Sequence, residues 1–321
     1  MLRTEICDLL GISSPVIQGA LGGPWRASAQ LIAAVSNAGG LGSVAASLRG
    51  SDDIRADIAE VRALTPKPFA VNHTRRPFNE EAFQATLDER PPVVSLALGE
   101  PSDLVARVHD VGSLFIQQVQ TVQQGLQAAE AGVDVIIAQG GEGGGFSGMV
   151  GTIALVPQVV RAVSPIPVVA AGGIADGRGL AAALVLGAQG VNIGTRFLAS
   201  TEAGISEEWK QAICSAESED AVKIEFADHV VPALTEGGWE AIPRSLRTPF
   251  IDAWNDRKEE ASRQAGNLRD ELTAAMEQGR AHELIPLTGQ SAGLIDEVLP
   301  AAEIVERLVR EAEGALQDVS L

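Results

Sequence analysis

The sequence predicts an α/β protein of the (β/α)8 TIM barrel type carrying a C-terminal helical lid segment. Three observations predict it. Short Val- and Ile-rich runs alternate with helix-period segments, eight such runs can be counted, and two glycine-bearing loops fall where a barrel places phosphate. A doubly wound open sheet would share the alternation, so the glycine loops decide between the two. A length of 321 residues suits one barrel with an added segment.

The strand candidates, in order, are PVIQGAL (15–21), LGSVAAS (41–47), FAVNHT (69–74), PVVSLAL (92–98), SLFIQQV (113–119), DVIIAQG (134–140), PVVAAGG (167–173) and GVNIGTRFL (190–198). Helix candidates fill the intervals at 28–38, closed by Gly39 and Gly40, then at 51–64, 79–90, 102–111, 121–131, 156–164 and 177–186. Ser28, Ser51, Asn79, Ser102 and Thr121 are N-cap types standing just before apolar-periodic runs. An eighth barrel helix is expected at 205–216, which completes a barrel unit over residues 1–216. The charged, Trp-containing stretch 217–287 shows no strand alternation and is expected to be an all-helical lid over one barrel mouth. Residues 288–321 return through TGQSAGL to an amphipathic helix at 301–316, with Ile304, Leu308, Ala312 and Leu316 on one face.

Composition narrows the partners. With 24 basic and 42 acidic side chains the net charge is −18, so the average surface repels nucleic acid and anionic membranes, which leaves a small-molecule substrate. A glycine-rich cleft can still be locally positive. Cys7 and Cys214 are isolated thiols that suggest neither a metal site nor a disulfide framework. A reducing cytoplasm fits them, and neither a signal peptide nor a run of about 20 apolar residues is expected.

Chemistry concentrates at the strand ends. In AAGGIADGRG (170–179), Gly172 and Gly173 let backbone amides approach a phosphate at the start of a helix, although such glycines also make simple turns. In Asn192, Ile193, Gly194 and Thr195, the glycine again allows close approach and the threonine offers a hydroxyl. AQGGEGGGFSG (138–148) holds more glycine than a turn needs, but its spacing is a poor dinucleotide fingerprint.

Together PVIQGALGG (15–23), VSNAGGLGS (35–43), FAVN (69–72), AQGGEGGGFSG, the long run PVVAAGGIADGRGLAAALVLGAQGVNIGTRFL (167–198) and TGQSAGLI (288–295) resemble the successive motifs of the nitronate monooxygenase (2-nitropropane dioxygenase) family. The resemblance implies an FMN-dependent oxidoreductase, with NAD(P)H a possible reductant. It implies that residues 19–22, ending in Gly22, back one side of the flavin. Asn72 and Gln139 would hydrogen-bond its polar edge, with Gly144 approaching the ring or ribityl chain. Gly172, Gly173, Asn192, Ile193, Gly194 and Thr195 would hold the phosphate, and Gln290 would close over the flavin.

Phe146 departs from the family pattern, which usually has a histidine there that looks like the proton-transfer group. Phe146 and Glu142 are assigned to the substrate pocket, with a capping role the alternative for the carboxylate. Of His73, His109, His229 and His282, only His73 follows a cofactor residue, which makes it the candidate catalytic group. Strict alternation would nonetheless turn it outward if Asn72 faces in. Arg75 and Arg76 stand nearby to attract an anion. The leading expectation is oxidation of a small nitronate with O2. An NAD(P)H-dependent reductase of an enone, quinone or enoyl-thioester is the second reading, and a flavin-binding protein with little turnover the third.

Overall fold

The computed structural model describes residues 2–22, 27–230 and 241–318; the side chains of Asp228 and His229 also lie outside the description. All eight expected strands form, as β1 (Val16–Gln18), β2 (Gly42–Ala45), β3 (Phe69–Thr74), β4 (Val93–Ala97), β5 (Leu114–Val119), β6 (Val135–Gln139) and, after a short strand β7 (Gly145–Ser147), β8 (Val168–Ala171) and β9 (Gly190–Ile193). They pair in parallel in the order β1-β9-β8-β6-β5-β4-β3-β2. Leu41 N donates to Val16 O and Gln18 N to Leu41 O, both at 2.9 Å, which brings β2 back to β1 and closes the barrel.

Local sequence explains most of the outer ring. Ser28, Asn79 and Thr121 cap α2 (Ala29–Asn37), α4 (Glu80–Glu89) and α6 (Val122–Glu130) by accepting from backbone amides three residues on. Two expected caps are corrected. Gly50, not Ser51, precedes α3 (Ser51–Leu64), and the Asp53 carboxylate accepts the Gly50 amide instead. Ser102 takes a left-handed φ of 45°, and α5 (Leu104–Asp110) starts after Asp103. Helix α7 (Thr152–Val163) begins a turn earlier than expected, because the distant Glu142 carboxylate accepts the Thr152 amide at 2.9 and 3.0 Å. Beneath the barrel, α1 (Glu5–Leu10) plugs the N-terminal mouth, burying Ile6, Cys7 and Leu10 against inward residues such as Ala70, Val93 and Val135.

The end of the barrel differs from expectation in two places. The expected strand 190–198 stops at Ile193, where Gly194 turns the chain into α9 (Thr195–Leu198) with Phe197 N donating to Gly194 O at 2.9 Å. Helix α10 (Glu207–Cys214) does not fill the eighth helical place. That place, between α2 and α8 (Gly177–Val185), is taken by the helix covering Ala301–Asp318, numbered α15 below. Contact there is close enough that Gly177 could not carry a side chain, since its Cβ would lie 2.3 Å from Glu311 Cβ.

The lid is not all-helical. Strands β10 (Ala221–Lys223) and β11 (Ile242–Leu246) join β7 in an antiparallel sheet, with β11 in the middle. Alternation escaped notice because both strands are short and β11 includes Pro243 and Arg244. Around that sheet, α11 (Ala227–Val230), α12 (Pro249–Asn255), α13 (Lys258–Arg263) and α14 (Ala265–Glu277) share a small apolar core of Ile224, Phe226, Phe250, Ile251, Leu268 and Leu272. Among the described residues, no helix is long and apolar enough to cross a membrane.

In α15, Ile304, Leu308 and Ala312 are buried and Leu316 is half-buried. Replacing Leu308, which is 1% exposed, with alanine should therefore cost about 2–5 kcal/mol of stability, against a much smaller loss for Leu316→Ala. Urea unfolding of both variants checks this, and equal small losses would show that α15 does not complete the ring.

Candidate active site

Alternate residues of a strand face opposite ways, so at each C-terminal strand end one parity points into the barrel. Ser43 and Ala45, Asn72 and Thr74, Ser95 and Ala97, Gln118, Gln139 and Asn192 follow that parity and line a cavity of about 400 Å³. The lid roofs it with Pro243, Leu272, Met276, Ile285 and Leu287 among others. Gly22, Gly144, Phe146, Gly172, Gly173, Ile193, Gly194 and Thr195 also line it, so most of the expected set converges on one space.

Amides line one part of the wall. Ser95 Oγ donates to Asn72 Oδ1 at 2.8 Å, leaving the amide nitrogen of Asn72 to serve the cavity. Gln139 Oε1 accepts from Gln118 Nε2 at 3.0 Å and Gln120 Nε2 at 3.2 Å, which orients its nitrogen the other way. Gln120 also donates to Phe146 O at 2.8 Å. Ser95, Gln118 and Gln120 were not singled out by sequence reasoning. The signal was present in FIQQVQ (115–120), where amides at a strand end alternate with apolar residues.

Glycines shape another part. Gly172 and Gly173 have φ of 99° and 72°, a region that favours glycine. A Cβ on Gly194 would meet only Leu21 Cδ2, at 3.9 Å, so the space before it is open. Gly144 is different. A Cβ there would lie 2.6 Å from Gly289 N, so its lack of a side chain is demanded first by the chain's own return loop. Thr195 Oγ1 accepts from Gly289 N at 2.9 Å, tying that loop to the end of β9.

Three expected site residues do not point into the cavity. His73 has the opposite parity to Asn72 and is 3% exposed between β3 and α4, with its ring edge on Phe83. Thr86 Oγ1 gives its proton to Ala82 O, so His73 Nε2 donates to Thr86 Oγ1, at 2.9 Å. The catalytic assignment is thereby corrected, and burial lowers the imidazole pKa to about 4. Glu142 is likewise removed from the substrate pocket, since its carboxylate accepts both Thr152 N and Thr152 Oγ1 and caps α7. Gln290 contributes its backbone N–H to Glu142 O at 2.9 Å, and the neighbouring Ser291 lines the cavity instead. Arg75 stacks 4.8 Å from the Phe78 ring, while Arg76 reaches the cavity. His109 pairs with Asp134 at the opposite end of the barrel, and His282 stacks on Trp209.

Among the described residues, Arg76 and Arg269 are the sole ionisable side chains that line the cavity. Carboxylate, imidazole, amine and thiol are all missing from that described wall.

A parallel barrel with amides and glycine loops gathered at its strand ends beneath an apolar roof has the architecture of an oxidoreductase barrel. The chain belongs to the nitronate monooxygenase family, whose sequence profile matches residues 3–77 and 75–311. It is 33% identical to a (3aS,4S,5R,7aS)-5-hydroxy-7a-methyl-1-oxo-octahydro-1H-indene-4-carboxyl-CoA dehydrogenase of Mycobacterium tuberculosis, over 99% of this chain and 98% of that one. It is 32% identical to a probable nitronate monooxygenase of Staphylococcus saprophyticus, over 97% and 98% of the two chains. The solved structure of FabK from Thermotoga maritima superimposes with a TM-score of 0.90 at 36% identity, covering 99% of each chain.

A buried histidine with a lowered pKa makes the protein acid-sensitive. The unfolded chain takes up the proton first, so His73 leaves stability intact above about pH 6.5 and withdraws up to roughly 3 kcal/mol as pH falls to about 4. In His73→Leu that part of the acid loss should vanish. Denaturant midpoints at neutral and acid pH test it, and identical losses in parent and variant would refute the assignment.

Proposed function

We propose that the protein is an FMN-dependent oxidoreductase that oxidises a small nitronate with O2. The observation that carries this reading is the lack of a proton-transfer side chain among the described residues lining the cavity. A nitronate is already deprotonated, so it needs no base, whereas a neutral nitroalkane must first lose a proton from carbon. Arg76 and Arg269, each already engaged within the protein, are the guanidinium groups on that described wall.

The residues present fit the cofactor. Open space before Gly194, the left-handed turn at Gly172 and Gly173, and the Thr195 hydroxyl suit one phosphate, while the amides of Asn72 and Gln139 suit a polar ring edge. A single phosphate cradle without a dinucleotide fingerprint favours FMN over FAD. Bound flavin would supply the electron acceptor between nitronate and O2. The chain's own part is to orient substrate against the Phe146 wall and exclude water under the apolar roof.

A second reading is the NAD(P)H-dependent reduction of an enone, quinone or enoyl-thioester. The apolar surface of Leu98, Phe146, Pro243, Leu272 and Met276 favours it, being more than a small nitronate requires. Similarity to the M. tuberculosis protein, named as acting on a bicyclic acyl-CoA, adds support. Mixing the purified protein anaerobically with propionate 3-nitronate or with NADPH separates the readings. Bleaching of the flavin by the nitronate supports the first, and bleaching by NADPH alone supports the second.

Gly194→Val should lose FMN yet keep its stability within about 1 kcal/mol of the parent, because the added side chain fills open space and not packed protein. Heat release and chromatography measure the flavin; undiminished FMN would place the phosphate elsewhere. Since general-base catalysis typically contributes about 10²–10⁴-fold, the parent should strongly prefer ethylnitronate to nitroethane. Phe146→His should raise kcat/KM for nitroethane far more than for ethylnitronate. Efficient nitroethane oxidation by the parent would overturn the argument from the missing base.

A further inference from the structure

In the lid sheet, Lys223 stands directly opposite Arg244, and Arg244 opposite Gly145. Like charges facing each other across an antiparallel pair repel, so something must hold both there. The glycine-rich loop after β6 does so with its carbonyl oxygens. Arg244 donates Nε and Nη2 to Gly141 O at 3.2 and 3.0 Å. Lys223 Nζ lies 2.8 Å from Ser147 O, 2.7 Å from Ser147 Oγ, 3.1 Å from Gly148 O and 2.9 Å from Ile242 O. An ammonium has three N–H donors, so these oxygens form a cage around a charge, more than a single hydrogen bond requires.

The cage connects to the cavity. Ser147 Oγ donates onward to Gly143 O at 2.9 Å, and Gly143 lines the cavity wall. Phe146, one residue from the cage, packs against Ala97, Leu98 and Ala241. Lys223 itself does not line the cavity and has no part in the chemistry proposed above.

We propose that Lys223 is a positioning residue: its ammonium, seated among three backbone carbonyls and the Ser147 hydroxyl, fixes the glycine-rich loop to the lid and so sets where Gly143, Gly144 and Phe146 stand. That these residues face a flavin rests on the preceding functional reading; the tethering does not. Burial, followed by the nearby Arg244, pushes the ammonium pKa down to about 8, while Glu225 and Glu142 act in the opposite sense. Because an opened loop would return this amine to water, where it holds its proton more tightly, rising pH above about 8 favours the closed cage over the open loop.

The test is hydrogen exchange, read by mass spectrometry, on the full-length protein with and without added FMN. In Lys223→Met, amides of residues 141–148 should exchange about tenfold faster or more, while strands β3 to β5 keep the parent's protection. In Lys223→Ala, which leaves room for a small amine, ethylammonium should restore protection, and tetramethylammonium, which lacks N–H donors, should not. After correction for intrinsic exchange, the parent's loop should gain protection as pH rises past about 8, and Lys223→Met should show no such step. Unchanged loop protection in the variant, equal rescue by tetramethylammonium, or protection lost throughout the barrel would each overturn the proposal. Failure of the parent to bind FMN would remove the flavin reading and leave the exchange comparison to decide the role of Lys223.

Discussion

The mouth of the barrel depends on one backbone-to-backbone passage, that of residues 143–144 against residues 288–289. A Cβ on Gly144 would lie 2.6 Å from Gly289 N, and one on Gly289 would lie 2.7 Å from Gly144 N. Two chains that close need glycine on both sides. From this contact the rest follows. Gln290 N reaches Glu142 O, Gly289 N reaches Thr195 Oγ1, and the return loop thereby joins the ends of β6 and β9. The glycine run after β6 is therefore written partly for the protein's own backbone, which a reading centred on cofactor approach alone would miss.

Much of the fold was legible because a parallel barrel repeats one local pattern. Eight apolar runs gave eight strands, and Ser28, Asn79 and Thr121 announced helices that they do cap. Signals that depend on distant residues were not legible. The cap of α7 comes from Glu142, ten positions before it, and the eighth helical place is filled by a segment separated from β9 by the whole lid. Strands β10 and β11 escaped because they are held by pairing, β10 with β11 and β11 with β7, and not by their own alternation.

The cavity shows the same division. Parity along a strand placed Asn72 inside and His73 outside, and it would have found Ser95 and Gln118 had it been carried through β4 and β5. Glu142 and Gln290 were read from position in a motif, yet the Glu142 carboxylate caps α7 and Gln290 gives its backbone N–H to Glu142 O. A motif fixes where a residue lies along the chain, whereas the pleat and nearby helix ends decide which way its side chain turns. The result is a described wall rich in amides and hydroxyls, with guanidinium as its sole ionisable group.

The place of α15 also bears on how the chain is made. β9 ends at Ile193 and the helix that completes its βα unit begins at Ala301, so the lid is synthesised between two neighbouring parts of one ring. At roughly 5–20 residues per second, a ribosome leaves the barrel without its last stave for on the order of ten seconds. During that interval the groove between α8 and α2 that later receives Ile304, Leu308 and Ala312 stands uncovered. A nascent chain of this kind presents a ready surface to holding chaperones, and a stop codon placed before Ala301 would make that transient exposure permanent.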